Sequence, residues 1–253
     1  MHQRLEETAL KLISLNIEGD NHLNRIIPFF KKEKPDVICL QEVFAVDLPL
    51  ITEALQMQAI FSPMQSITKD FPEHRLMGKG EQGLAILSDL PLQDVAYDYY
   101  VGTRDEIPET TGEPNAANRI FLSTCIAKHN QKFQIGTTHF TWSLHGETTP
   151  LQKRDMEKLF TILKKKGEIV FCGDFNAPRG REMWKTMATV YTDNIPSDVT
   201  TSMDPDLHKV KNLPYLVDGM FSTDSYKVSD VRVVSGVSDH QAIVGYVSNT
   251  GVI

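Results

Sequence analysis

From Ala9 to Ile17 apolar side chains occupy both alternating sets of positions: Leu10 and Leu12 share one parity with Ser14 and Asn16, while Ile13, Leu15 and Ile17 share the other with Lys11. That pattern predicts a strand buried largely on both faces, with Asn16 at its C-terminal end. The period then changes. In NHLNRIIPFFKKEK, Leu23, Ile26, Ile27 and Phe30 recur at helical spacing behind Asn21 as N-cap. Pro28 is expected to kink or restart this helix and Pro35-Asp36 to stop it. VICLQEV follows as a short apolar strand that delivers Gln41 and Glu42 at its far end.

The same layout recurs. GLAILS (Gly83 to Ser88), RIFLSTCIA (Arg119 to Ala127), FQIGTTHF (Phe133 to Phe140), EIVFCGDFN (Glu168 to Asn176), YLVDGMF (Tyr215 to Phe221) and QAIVGYV (Gln241 to Val247) read as strands. Thr149 and Pro150 form an N-cap and first-turn pair for a helix with Leu151, Met156, Leu159, Phe160 and Leu163 inward and KKKG at its end. With no repeat, linker or low-complexity tract, residues 1–253 are expected to form one α+β domain of two packed sheets with helices outside. Two long polar stretches fit no element: Gln65 to Gln82, with Lys69, His74, Arg75 and Lys79, and Gly102 to Asn118, with Arg104, Asp105, Glu106, Glu109 and Glu113. Both are candidate walls of a substrate cleft, with plain solvated loops as the alternative.

Composition narrows this only slightly. A hydrophobic content of 41% in 253 residues is that of an ordinary globular protein with a sizeable core. A formal net charge of -7 argues against binding nucleic acid mainly by non-specific phosphate neutralisation. A nuclease stays open, because a carboxylate-rich metal site can coexist with a local basic rim. Cys39, Cys125 and Cys172 each lie in an apolar run without metal-ligand spacing and read as buried thiols. No stretch has the apolar length of a membrane span, and MHQRLEETALKLISLN lacks the pattern of a secretory signal. The cytoplasm is the expected location, with no membrane association and no obligate protein partner indicated.

The chemistry lies where apolar strands end in polar groups: Asn16, Glu42, His139, Asp174, Asn176, Asp218, Asp239 and His240. A carboxylate closing a run such as VICLQE or IVFCGD is costly to desolvate unless it is paired or holds a cation. Several together imply a metal, and oxygen donors without clustered Cys or His suit Mg²⁺ or Mn²⁺ rather than Zn²⁺. Singly each has a bland alternative: Asn16 as a turn former, Asp174 as a helix cap, His139 as a satisfied core histidine, Asp218 as a salt-bridge partner.

In order along the chain, SLN (Ser14 to Asn16), LQE (Leu40 to Glu42), GLAILS, TTHF (Thr137 to Phe140), GDFN (Gly173 to Asn176), LVDGMF and SDH (Ser238 to His240) resemble the motifs of the endonuclease/exonuclease/phosphatase superfamily. The resemblance implies a four-layer α/β sandwich, two packed mixed sheets flanked by helices, with the site at one edge. It also implies roles. Glu42 would be the principal metal ligand, helped by Asn16 and Asp239. Asp174 would orient and deprotonate the attacking water, with Asn176 on that water or a phosphate oxygen. His139 and His240 would hydrogen-bond the non-bridging oxygens, Asp218 would hold His240, and Arg119 would add a phosphate contact.

LNIEG, and GDFN followed by APRGRE, look most like the tyrosyl-DNA phosphodiesterase 2 branch, which removes tyrosyl adducts from DNA 5′ ends, whereas TTHFTW departs from it. Trp142 is a candidate to stack on a base or tyrosyl ring, with burial as the alternative, and Arg179 and Arg181 are candidates for a basic rim. The expected function is Mg²⁺-dependent phosphodiester hydrolysis on DNA, as a nuclease or a DNA-repair end-processing enzyme. The alternatives are a phosphatase or phospholipase acting on a small phosphate ester or lipid headgroup, an inactive binding module, and a non-enzymatic two-sheet scaffold.

Overall fold

The structure is a computed structural model and describes residues 8–251. In chain order its first half contains β1 (Leu10–Asn16), α1 (Leu23–Glu33), β2 (Val37–Phe44), α2 (Leu48–Leu55), β3 (Gln58–Ile67), β4 (Gly80–Ser88), β5 (Leu92–Val101) and β6 (Arg119–Lys128). The second half contains β7 (Gln131–His139), α3 (Pro150–Lys166), β8 (Val170–Asp174), α4 (Glu182–Ala188), β9 (Thr192–Asp193), β10 (Asp218–Ser222), β11 (Tyr226–Val234) and β12 (Ala242–Asn249). The strands form two six-stranded sheets, ordered β11-β12-β1-β2-β4-β3 and β5-β6-β7-β8-β10-β9. These pack face to face with helices outside, the four-layer α/β sandwich expected.

The two parities of β1 explain the layering. Leu10 and Leu12 enter the core shared with β6, β7 and β8, together with Ile120, Leu122, Ile135 and Phe171. Ile13, Leu15 and Ile17 face the other way and meet Leu23, Ile26 and Phe30 of α1 and Ile51 of α2. A strand apolar on both faces is therefore sandwiched between a sheet and a helix layer. Cys39, Cys125 and Cys172 are buried free thiols, as expected.

Some local expectations change. The first helix starts at Leu23 behind His22 with no side-chain cap, and Asn21 instead donates to the Arg75 carbonyl at 3.2 Å. Pro28 lies inside α1 without ending it, because the burial of Leu23, Ile26 and Phe30 holds the helix where one backbone bond is lost. Thr149 caps α3 as expected, accepting from the Gln152 amide. YLVDGMF becomes a strand only from Asp218, so that residue opens its strand rather than closing it.

Of the two unassigned stretches, residues 65–67 extend β3 and 80–82 begin β4, leaving a loop that contains a short 3-10 turn at Pro72–His74. The side chain of His74 and the N-terminal residues 1–7, part of the segment read for a secretory signal, lie outside the described residues. Residues 102–118 form no strand or helix but run along the edge of β3, where Ser66 donates to the Pro108 carbonyl and accepts from the Thr110 amide, both at 2.8 Å. That cover shields part of an otherwise open sheet edge. No described helix is long and apolar enough to cross a membrane.

Candidate active site

Strand direction collects the chemistry. β1 and β2 run parallel and end at the same edge of the first sheet, and β12, antiparallel to β1, begins there just after Asp239 and His240. In the second sheet β7 and β8 run parallel with His139 opposite Asp174, and antiparallel β10 opens with Asp218 opposite Asp174. Every predicted catalytic carboxylate and histidine thus reaches one edge of the sandwich.

Backbone irregularities aim two of these groups. The β2–β4 register shifts between Leu40 and Val43, and Glu42 within that bulge has φ 60°. A bulge of this kind turns a side chain out of the pleat, here toward the site. Gly173, just before Asp174, has φ +144°, and a Cβ there would stand 1.9 Å from the Thr138 carbonyl oxygen. Gly173→Ala is expected to destabilise the fold by about 3 kcal/mol or more, since neither backbone can yield without breaking the β7–β8 ladder. A urea midpoint unchanged from wild type would contradict this.

The side chains interlock. The Asn16 amide donates to Glu42 Oε1 at 3.0 Å and to Asp174 Oδ2 at 3.2 Å, joining carboxylates from the two sheets. Its oxygen accepts from the Glu18 amide at 3.2 Å. Asn16 therefore presents nitrogen, not the oxygen expected of a metal ligand, to the two carboxylates, as suits an amide between anions. Asp174 Oδ2 also lies 3.5 Å from His139 Nε2 and 3.9 Å from His240 Nε2, while its Oδ1 accepts from the Asn176 amide at 2.8 Å. Asn176 adopts φ 49°, and its side chain donates to the Phe140 carbonyl at 3.0 Å, stitching the GDFN turn to the end of β7.

His240 Nδ1 and Asp218 Oδ2 are 2.7 Å apart, and Ser202 donates to the same Asp218 oxygen at 2.6 Å. Burial opposes charge on His240, but Asp218, Asp239 and Asp174 outweigh it and hold the ring well above the usual histidine range. His139 goes the other way. Burial, reinforced by Arg119 and His240, overrides the pull of Asp174 and lowers it to about 4. One site thus pushes its two imidazoles in opposite directions, His240 toward the charged form and His139 toward the neutral one.

The expected pairing of Asp218 with His240 has a functional test. Replacing either residue is expected to lower kcat, and the double replacement is expected to cost much less than the sum of the two, because an unanchored imidazole has already lost its transition-state contact. Strict additivity would separate the two.

Among the described residues one grouping of three has the spacing of a metal site. Asp174, Asp218 and His240 offer ligand atoms within 4.8 Å of one another, but there the imidazole nitrogen and Asp218 already satisfy each other. Glu42 and Asp239 present hard oxygens without that mutual satisfaction. Glu42 is raised to about 7 by burial and by the charges of Asp239 and Asp174, against the Asn16 hydrogen bond and His240. Asp239 is raised by burial and by Glu18. Clustered carboxylates that resist ionisation beside one another fit a hard divalent cation.

The predicted substrate-contact residues fare differently. Arg119 is buried, and its guanidinium donates to the carbonyls of His139 at 3.3 Å and Pro114 at 2.9 Å and to Asn115 Oδ1 at 3.2 Å. Instead of reaching for a phosphate it ties the 102–118 stretch to the end of β7. Arg179 is likewise committed, pairing with Asp193 at 2.9 Å and donating to the Ile195 and Pro196 carbonyls, so it makes no rim. Arg181 pairs with Glu147 at 3.1 Å. Trp142 is 38% exposed rather than buried, and Asn115 grips its backbone from both sides, accepting from its N–H and donating to its carbonyl, each at 3.0 Å.

Sequence reading missed Ser202 and Gln152. Gln152, buried in the first turn of α3, donates to the carbonyls of Thr141 at 2.8 Å and Asn176 at 3.3 Å, joining the two loops that follow His139 and Asp174. Its signal was a polar residue on the same helical face as Met156, Leu159 and Leu163. Ser202 lies in irregular chain and carried no such signal.

Two mixed sheets packed face to face, with carboxylates and imidazoles from both at one edge, define a phosphoesterase-type sandwich. A sequence profile of the Endonuclease/Exonuclease/phosphatase family matches residues 13–240, and the chain belongs to that family. A search of curated proteins gave no significant match. Among solved structures, the human Nocturnin catalytic domain with bound sulfate is similar at TM-score 0.70 and 19% identity, covering 97% of this chain and 95% of that one. A Bacteroides thetaiotaomicron mannosyl-6-phosphatase is similar at 0.68 and 15%, covering 94% and 99%. Humanized D. rerio TDP2 is similar at 0.64 and 15%, covering 96% and 100%. At these identities the likeness is one of fold.

Proposed function

We propose that this chain hydrolyses a phosphodiester with a water activated by Asp174, using Mg²⁺ or Mn²⁺ held by Glu42 and Asp239, and that its substrate is DNA. Members of its family are hydrolases acting on phosphate esters. The observation that carries the reading is the Asn16 bridge, which sets the metal-side carboxylate Glu42 and the water-side carboxylate Asp174 within the span of one amide, at 3.0 and 3.2 Å.

A bound divalent cation supplies charge against the phosphoryl oxygens. Asp174 takes the proton of the attacking water, and Asn176 limits where that water sits. His240, kept charged by Asp218, donates to a non-bridging oxygen as negative charge builds there, and neutral His139 adds a second donor from the other side of Asp174. Asp218 and Ser202 hold the His240 ring, while Gln152 and Arg119 hold the loops that carry His139 and Asn176. Trp142, displayed three residues from His139, supplies a face on which a nucleobase stacks.

A second reading, a small phosphate ester or lipid headgroup as substrate, is favoured by a different observation. The loop cations Arg75, Lys79 and Arg181 are paired with Glu18, with Asp20 and Asp47, and with Glu147, which leaves them little excess charge for a long polyanion. A panel of single-stranded DNA, duplex DNA, a 5′-tyrosyl oligonucleotide, sphingomyelin and inositol phosphates separates the two. Turnover confined to the last two substrates would displace DNA.

A further inference from the structure

Hydrolysis of an alkyl phosphate ester needs a proton for the departing oxygen, and none of Asp174, His139 or His240 is assigned to give it. The departing oxygen leaves on the face of phosphorus opposite the attacking water, in line with it. A third imidazole stands next to the site. The ring of His208 lies 6.3 Å from that of His240, edge to face.

The chain around His208 is built to hold it there. Asp204, 2% exposed, receives hydrogen bonds on Oδ1 from the amides of Asp206 at 3.0 Å and Leu207 at 2.9 Å, and its carbonyl accepts from the His208 amide at 3.2 Å. The Asp204 amide in turn donates to the carbonyl of Asp239 at 2.8 Å, and Asp204 Oδ2 accepts from the Gly236 amide at 2.6 Å. The turn bearing His208 is thus fastened to the backbone of the segment bearing Asp239 and His240. From its outer side the 68–79 loop grips it, with Arg75 donating to the Leu207 carbonyl at 3.1 Å and Lys209 to the Glu73 carbonyl. Within the turn His208 Nδ1 lies 2.8 Å from the Val210 carbonyl oxygen and 3.1 Å from the Val210 amide nitrogen, which fixes the ring and leaves Nε2 as its outward nitrogen.

We propose that His208 is the general acid for the leaving group. This rests on the phosphoester-hydrolase reading above. The water oxygen bonds to phosphorus as the P–O bond to the leaving group breaks. Asp174 accepts the water proton, and the departing oxygen takes the proton of His208 Nε2, leaving a neutral imidazole. Solvent then returns a proton to His208 and removes the one on Asp174, so the net reaction is phosphodiester plus water giving phosphomonoester plus alcohol.

The test compares two thymidine esters with Mg²⁺ present: thymidine 3′-(p-nitrophenyl phosphate), whose p-nitrophenolate leaves without a proton, and the thymidylyl dinucleotide, whose alkoxide does not. In His208→Asn and His208→Ala, hydrolysis of the dinucleotide is expected to fall about 100-fold or more while that of the nitrophenyl ester changes by less than about fivefold, the pattern of lost general-acid catalysis. Added imidazole is expected to restore part of the dinucleotide activity in His208→Ala. The nitrophenyl activity is itself the control for folding. Equal losses on both esters, or no loss on either, overturns the assignment. A wild-type enzyme inactive on both esters instead contradicts the reading of the chain as a DNA phosphodiesterase, on which this proton donor rests.

Discussion

Asp174→Asn is expected to lower kcat by about two to four orders of magnitude, the usual range for loss of a positioned proton acceptor, while leaving the fold intact. Asn keeps the shape of Asp and still offers an oxygen to the Asn176 amide, which donates to Oδ1 at 2.8 Å. What it puts in place of Oδ2 is an NH₂ group 3.2 Å from the Asn16 amide nitrogen, so two donors face each other where a donor met an acceptor. That clash costs on the order of 1 kcal/mol, small beside the kinetic loss. Single-turnover kinetics with thermal unfolding checks both parts. A kcat within a few-fold of wild type would place water activation elsewhere.

Glu42→Gln is expected to abolish Mg²⁺-supported turnover at concentrations that saturate wild type, and at the same time to stabilise the metal-free protein near neutral pH. The second half follows from proton linkage. In the fold Glu42 is raised from 4.5 to about 7, chiefly by burial and Asp239. Between those two values the folded state binds more protons at this position than the unfolded chain, so wild-type stability falls as pH rises through that window. Glutamine carries no such charge. In EDTA, the Glu42→Gln variant is therefore expected to be more stable than wild type above pH 7, with the gap closing as pH falls to about 4.5, below which the wild-type carboxyl is protonated in both states. Chemical denaturation at several pH values tests it, and a gap that is constant with pH would remove Glu42 from the strained carboxylate cluster.

All eight strands read from the sequence are interior to their sheets: β12, β1, β2 and β4 in one and β6, β7, β8 and β10 in the other. The four that were missed, β11, β3, β5 and β9, are the four edges. An interior strand buries both faces and becomes an apolar run such as LKLISL or VFC. An edge strand is half wet and mixes in polar residues, as in YKVSDVRVV and LQDVAYDYYV, or carries a proline, as β3 does at Pro63. Such sequences lack the clean pattern that marks a strand.

The site follows the same logic. Residues that close or open an interior strand, such as Glu42, His139, Asp174 and Asp218, were visible because a polar group on an apolar run stands out. Groups supplied by irregular chain, such as Ser202 on Asp218 and Asp204 beneath His208, were not, because their partners are close only in the fold. Arg119 shows the converse case. Its type and place suggested a phosphate contact, whereas the fold buries its guanidinium against the carbonyls of His139 and Pro114, partners that its place in the sequence did not reveal.

The most direct test of the central claim is the cation dependence of phosphodiester hydrolysis after exhaustive dialysis against EDTA, with DNA and small-ester substrates assayed in parallel. The oxygen donors Glu42 and Asp239 predict no measurable turnover in the dialysed protein and its return on addition of Mg²⁺ or Mn²⁺. Full activity in the dialysed protein would contradict a cation-dependent mechanism at this edge of the sandwich.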